Sequence, residues 1–184
     1  SLLRLGVIRI SALLLHRPDQ LLESNGVEIW KALQDLKQKN IVKKIGFSVN
    51  DCNQLDALWD SFQPNIVQMP YNLLDKRFLI SGWMKKMNDA GVEIHVRSIF
   101  LQGLLLMSNS DRPEKFNRWK EIWEALDAWL LEYDITAVEA AISFAMDNPY
   151  IDKIVVGVDN VQQLEEILSI ILKRKIVHPP KSLH

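Results

Sequence analysis

The chain has 184 residues, 48% of them hydrophobic, and a formal net charge of −1. This length suits one domain with a sizeable core, so we predict a single domain over residues 1–184. No basic block stands out, which argues against nucleic acid or a membrane as a partner. The one cysteine excludes a disulfide framework. We therefore expect a cytoplasmic protein without a bound metal.

The first clear element is a nearly continuous apolar run from Ile10 to His16. Such a run is typical of a strand buried on both faces, as in a parallel sheet. It places His16 at its C-terminal end, where Arg17-Pro18-Asp19 stops the strand. Residues 1–5 before it look like the last turn of a helix, with Gly6 as its end. Since the chain opens inside an element and carries no secretion signal, we expect a fragment of a longer protein.

Short apolar strands then alternate with amphipathic helices. The further strands are predicted at 44–48, 65–69, 92–98 and 153–156. The helices are predicted at 27–39, after Asp51, at 76–90, from Asp111-Arg112-Pro113, after Thr136 with Glu139 as a capping box, and at 161–173. This order predicts a parallel α/β fold. No Gly-x-Gly-x-x-Gly follows a strand, which argues against a Rossmann fold. A small doubly wound sheet and part of a barrel both remain open.

The residues at the strand exits carry a family resemblance. In chain order these segments are Leu13-Leu14-Leu15-His16-Arg17-Pro18, Ile45-Gly46-Phe47-Ser48-Val49-Asn50, Val67-Gln68-Met69-Pro70-Tyr71-Asn72, Arg97-Ser98 to Gly103-Leu104-Leu105, and Asn148-Pro149 to Val156-Gly157 with Gln163-Leu164-Glu165-Glu166. Together they resemble the aldo-keto reductase family from its fourth barrel strand to its eighth helix. The resemblance implies a partial TIM (β/α)8 barrel of about five parallel β-strands with flanking helices. It also implies hydride transfer between NADP or NAD and an aldehyde, ketone or sugar.

Barrel enzymes place their sites at the C-terminal ends of the strands. His16 matches the family histidine that orients the substrate carbonyl, and the alternative is a capping or packed histidine. Ser48, Asn50 and Gln68 match the groups that bind the nicotinamide carboxamide, for which amide and hydroxyl groups are suitable. The family has serine and asparagine adjacent, whereas Val49 intervenes here. The alternative for these polar groups is capping of strand ends.

The resemblance also implies contacts to the rest of the cofactor. Arg97 stands where most members carry an aromatic ring that stacks on nicotinamide. It is expected to stack, to contact pyrophosphate or an anionic substrate, or to form a surface ion pair. Backbone N–H groups at Ser98, Leu101 and Gly103 match the loop that passes the pyrophosphate.

The last segment matches the residues that hold the adenosine end, which are Gly157, Asp159, Gln163 and Glu166. Asp159 stands where a basic residue or serine commonly meets the 2′-phosphate of NADP. A carboxylate would repel that phosphate and favour the free 2′-hydroxyl of NAD. The alternative for Asp159 is the N-cap of the last helix.

The family's catalytic tyrosine, lysine and aspartate lie on its first three strand exits, which this chain does not contain. Tyr71 and Tyr133 are not expected to replace them, so we expect the chain alone to be inactive. Open sheet edges predict that they are covered by the missing N-terminal barrel portion as a second chain, by self-association of the chain, or by rearranged termini. Two other functions stay open, a nucleotide-binding regulatory barrel without activity and another TIM-barrel enzyme that binds phosphate after its last strands.

Overall fold

The computed structural model describes residues 2–173, 179, 180 and 183. Its helices are α1 Leu2–Leu5, α2 Gly26–Gln38, α3 Cys52–Leu58, α4 Arg77–Ile80, α5 Trp83–Asp89, α6 Lys120–Glu132, α7 Ala137–Met146 and α8 Val161–Lys173. Its strands are β1 Ile10–Leu15, β2 Val42–Ser48, β3 Ile66–Pro70, β4 Glu93–Arg97 and β5 Lys153–Ile154. The strands are neighbours in chain order within one sheet. The predicted α/β fold with five parallel strands and flanking helices is therefore confirmed.

The described residues fall into two compact units, with β4 contributing to both. The first unit runs to Pro70 and includes Arg77–His95, and the second contains Tyr71–Lys76 and the chain from Val96 onward. The single domain over residues 1–184 stays a prediction.

The first unit is built on three parallel strands. Leu15 in β1 is the register partner of Phe47 in β2, and Ser48 in β2 is the partner of Gln68 in β3. Gly46 is required between β2 and β3, because a Cβ there would lie 1.7 Å from the carbonyl oxygen of Ile66. The aromatic centre of this unit is Trp30, with ring centroids 6.2 Å from Phe47 and 5.8 Å from Phe62.

The second unit begins at the exit of β3. The Tyr71 N–H donates to the Arg97 carbonyl oxygen at 3.1 Å, and the Val155 N–H donates to the Val96 carbonyl oxygen at 2.8 Å. The apolar core of this unit joins α6 and α7 to the segments around them. Its buried members are Leu73, Leu104, Leu105, Trp123, Leu126, Trp129, Ile135, Ala140 and Leu183.

Several local predictions are confirmed by the backbone. The Asp51 carboxylate accepts from the Gln54 N–H at 3.2 Å, and Thr136 Oγ1 accepts from the Glu139 N–H at 3.1 Å. Gly6 takes the left-handed conformation with φ of 65°. These residues end or begin elements where their chemistry predicts it.

Two predicted helices are wrong in detail. The helix predicted at 76–90 is two helices, because Gly82 adopts φ of 82° and interrupts it between α4 and α5. The helix predicted from Asp111-Arg112-Pro113 begins as a 3-10 helix at Glu114–Trp119 and becomes α-helical only at Lys120. The strands predicted at 92–98 and 153–156 are also shorter, at Glu93–Arg97 and Lys153–Ile154.

Candidate functional site

His16 lies directly beyond the C-terminal end of β1 and is exposed. It follows Leu15, whose register partner Phe47 is itself followed by Ser48. The strand therefore places the imidazole and the Ser48 hydroxyl at the same end of neighbouring parallel strands. This is the end at which barrel enzymes hold their substrates.

Ser48 and Gln68 form a direct pair in the first unit. The Ser48 Oγ donates to Gln68 Oε1 at 3.3 Å, and Ser48 is only 5% exposed. The pair follows from the parallel register, which sets the two residues opposite each other. With its oxygen engaged in this bond, the Gln68 amide presents its NH₂ group, which suits the carbonyl oxygen of a carboxamide.

Asn50 is exposed on the loop after β2. Its backbone N–H donates to Gln54 Oε1 at 2.7 Å. The Gln54 Nε2 in turn donates to both carboxylate oxygens of Asp19, at 3.0 and 2.8 Å. The sequence pattern gives Gln54 no role, and it places Asp19 only in the Arg17-Pro18-Asp19 stop after the first strand.

The second unit contains an open pocket of about 510 Å³. Six residues predicted to bind cofactor line it, namely Ser98, Gly103, Gly157, Asp159, Gln163 and Glu166. They come from the loop after β4, the loop after β5 and the first turns of α8. The walls between them include the apolar side chains Phe100, Leu106 and Val138. The tertiary structure thus gathers at one pocket residues that are up to 68 positions apart in the chain.

The loop after β4 has an unusual backbone. Ser98, Leu101, Gln102 and Gly103 all have positive φ, at 60°, 49°, 55° and 87°. Three of these residues are not glycine, and such conformations persist only where the surroundings hold them. The buried Asn72 supplies one restraint, since its Nδ2 donates to the Ser98 carbonyl oxygen at 3.2 Å. Asn72 ends the strand-exit segment Val67–Asn72, whose pattern does not predict this role.

Leu101 and Arg97 lie outside the lining of this pocket. The Leu101 N–H donates to the Ser98 carbonyl oxygen at 2.9 Å, and its side chain packs against the apolar core of the second unit. The Gly103 N–H likewise donates to the Phe100 carbonyl oxygen at 2.9 Å. One guanidinium nitrogen of Arg97 donates to Ser98 Oγ at 3.3 Å. Their contacts to a cofactor stay predictions.

Asp159 does not act as the N-cap of α8. The Asn160 side chain takes that position, because its Oδ1 accepts from the Gln163 N–H at 2.9 Å. Gln163 Oε1 accepts from the Asp159 N–H at 2.8 Å. The Asp159 carboxylate lines the pocket together with that of Glu166. The described lining residues include these two carboxylates and no lysine or arginine.

Tyr71 is a buried structural residue of the second unit. It is 2% exposed, its ring stacks on Phe144 at 5.1 Å between centroids, and its hydroxyl accepts from Asn148 Nδ2 at 3.1 Å. Burial raises the pKa of the Tyr71 hydroxyl above its ordinary value. The nearby Lys76 is also buried, which lowers the pKa of its ammonium group.

Among the described residues, no cluster of histidine, cysteine or carboxylate side chains could hold a metal ion. In the same part of the chain, no helix has the length and apolar character needed to cross a bilayer.

The family model described as "Aldo/keto reductase family" matches residues 1–177. The chain therefore belongs to this family, and the resemblance seen in the strand exits is confirmed. A sequence comparison with curated proteins finds no match.

Solved structures show the same fold. The holo form of the aldo-keto reductase AKR11C1 from Bacillus halodurans has a TM-score of 0.73 and 17% identity, and the match covers 99% of this chain and 62% of that one. The thermostable aldo-keto reductase Tm1743, solved with the inhibitor epalrestat, has a TM-score of 0.70 and 17% identity, with coverages of 99% and 60%. This chain spans about three fifths of the length of these TIM-barrel structures.

Proposed function

We propose that this chain is the C-terminal part of an NAD(P)-dependent oxidoreductase that moves a hydride to or from an aldehyde, ketone or sugar. In this proposal His16 orients the carbonyl, and Ser48 and Gln68 bind the nicotinamide carboxamide. The exposed Asn50 also contacts the nicotinamide carboxamide, and Arg97 contacts the nicotinamide ring or the pyrophosphate. Cys52 forms no disulfide, and we continue to expect a protein of the reducing cytoplasm.

The observation that carries the proposal is the pocket of the second unit. A pocket of about 510 Å³ is within the ordinary range for small-molecule and cofactor sites. Its apolar walls suit a purine ring, and its polar rim of Gln163, Asp159 and Glu166 suits ribose hydroxyls and the adenine edge. Ser98, Gly103 and Gly157 line the same pocket and have a small side chain or none. We assign the adenosine end of the dinucleotide to it.

The charges in this pocket favour NAD over NADP. A 2′-phosphate carries nearly two negative charges at neutral pH and needs cationic partners. Here it would meet the carboxylates of Asp159 and Glu166. Because both groups are exposed, water screens the repulsion, and we expect a preference of roughly tenfold or less. A carboxylate accepting from the free 2′-hydroxyl adds to that preference.

The same charges disfavour one of the other functions. A TIM-barrel enzyme that grips a phosphorylated sugar after its last strands would need donors or cations there, and the described pocket presents carboxylates instead. A regulatory barrel without activity would bind the same dinucleotide, so binding alone does not separate it from a reductase.

The test is thermal unfolding of the 184-residue chain with NAD, NADP or ADP-ribose. A ligand that binds only the folded state raises the melting temperature by mass action. We expect a shift with NAD and with ADP-ribose, and a smaller one with NADP. The variant Asp159→Ser combined with Glu166→Gln should bring the NADP shift close to the NAD shift, whereas Glu165→Gln on the same helix should leave the difference unchanged. No shift with any of the three ligands would contradict the proposal.

The chain by itself is proposed to catalyse no useful reduction. Carbonyl reduction needs a proton donor beside the developing alkoxide. Tyr71 cannot serve, because its hydroxyl is buried and engaged with Asn148. We propose that the tyrosine, lysine and aspartate come from a missing N-terminal portion. The same portion, or self-association, would cover the open strand edges.

A further inference from the structure

We infer that Gln54 is a positioning residue that couples the loop carrying His16 to the loop carrying Asn50. This inference rests on the proposed function of these two loops. The Gln54 side chain forms a hydrogen-bonded bridge between two chain segments, and the residue lies outside every strand-exit motif.

The bridge uses both ends of one amide. Gln54 Oε1 accepts from the Asn50 N–H at 2.7 Å, and Gln54 Nε2 donates to the two Asp19 oxygens at 3.0 and 2.8 Å. Asp19 stands in the first turn of the 3-10 helix Pro18–Leu22, three residues after His16. One side chain therefore restrains the exit of β1 and the exit of β2 together.

The support behind Gln54 is rigid. Its own N–H donates to the Asp51 carboxylate, which caps α3. The next residue, Leu55, is completely buried, as is Leu58 one turn later. On the other side, Pro18 and Leu21 are buried and anchor the 3-10 helix that carries Asp19. An amide held between two anchored elements fixes the distance between their loops.

Such a restraint acts on geometry. His16 and the Ser48–Gln68 pair begin on neighbouring strands, whose register sets their height along the sheet. The loops beyond the strand ends have no such register, and the Gln54 side chain forms hydrogen bonds to both of them. Small misplacements of groups at a reacting centre cost large factors in rate and binding. Gln54 would thus act on the nicotinamide end and leave the adenosine pocket of the second unit untouched.

The test compares two halves of the cofactor on the 184-residue chain by NMR titration. Nicotinamide mononucleotide probes the first unit, and ADP-ribose probes the second. We expect Gln54→Ala to weaken binding of the mononucleotide roughly fivefold or more, and to change the affinity for ADP-ribose less than about twofold. The matched control is Gln34→Ala, an exposed glutamine on α2, which should alter neither affinity.

A charge exchange supplies the rescue. Gln54→Glu alone sets a carboxylate against that of Asp19 and should weaken mononucleotide binding as the alanine variant does. Gln54→Glu together with Asp19→Asn restores the bridge, since the new amide donates to the new carboxylate, which still accepts from the Asn50 N–H. Recovery to within about twofold of the original affinity is expected, and coupling of this kind is what a double-mutant cycle measures.

The outcomes separate the inference from the proposed function. If the unaltered chain binds the mononucleotide and Gln54→Ala leaves that affinity unchanged, the inference is overturned and the proposed function stands. If the double variant binds the mononucleotide as weakly as Gln54→Glu does, loss of the bridge is not what weakens binding, and the inference also fails. If the unaltered chain binds no mononucleotide, the nicotinamide assignment and this inference fall together.

Discussion

Asn72 offers the sharpest test of how the adenosine pocket is held. It is 1% exposed, and its side chain makes three hydrogen bonds within the second unit. Oδ1 accepts from the N–H groups of Leu74 and Asp75, each at 3.0 Å, and Nδ2 donates to the Ser98 carbonyl oxygen at 3.2 Å. The variant Asn72→Ala removes all three bonds at partly buried backbone groups, although the Asp75 N–H still donates to the carbonyl oxygen of residue 72 at 3.2 Å.

The expected cost follows from those bonds. A neutral hydrogen bond contributes about 1 kcal/mol net, so the loss should be about 3 kcal/mol in the free energy of unfolding. For a chain of this size that corresponds to a fall of roughly 6–12 °C in the melting temperature. Because Ser98 is held at φ of 60°, loss of its partner should also loosen the loop that lines the pocket.

The assay is urea unfolding together with ADP-ribose titration. Asn72→Ala should lower the midpoint and weaken ADP-ribose binding, while the exposed Asn88→Ala should stay within about 0.5 kcal/mol of the original chain. A loss of less than about 1 kcal/mol, with unchanged ADP-ribose affinity, would refute the account of how this loop is restrained.

Two further predictions concern pH and packing. Because burial raises the folded-state pKa of Tyr71, the unfolded chain loses its proton first, and stability falls as the pH rises above about 10. The free energy of unfolding of the original chain should exceed that of Tyr71→Phe by about 1 kcal/mol at pH 8, and this difference should shrink toward pH 11. A difference that urea titrations find equal at both pH values would contradict the burial argument. Gly46→Ala should cost at least about 3 kcal/mol, because its Cβ would overlap the Ile66 carbonyl oxygen and force β2 and β3 apart. Gly157→Ala is its control, since nothing lies within 4 Å of the added carbon, and an equal loss of stability in both variants would show that the close approach is not the cause.

Local chemistry in the sequence was enough to predict much of the fold. Period and composition located all five strands, and caps such as Asp51 and Thr136 marked helix starts that the structure confirms. The hydrophobic pattern gave a wrong helix boundary where one glycine lay inside an otherwise regular helical period. Gly82 was not recognised as a helix break, since glycine inside an amphipathic pattern is often tolerated.

The sequence also predicted one part of the candidate site, the strand exits, and missed another, the bridge between their loops. Strand exits are visible in the sequence because a strand buried on both faces must end in polar residues at its exposed rim. The family resemblance of these exits gave His16, Ser48 and Gln68 as candidates. The prediction that β1 is buried on both faces is wrong, since none of its residues is fully buried. Gln54 and Asp19 were missed, because they act through a side-chain bridge across 35 positions that no period or motif encodes.

What the sequence determined alone is the order of elements, the family and the residue types at each strand end, since these depend on patterns between near neighbours in the chain. Only the tertiary structure decided which of those residues share one space. It brought Ser98 and Gly103 together with Asp159 and Glu166 in one pocket, and it gave the cap of α8 to Asn160. The physical reason is that a pocket is a product of long-range packing, in which side chains far apart in sequence meet because the core beneath them fills one volume.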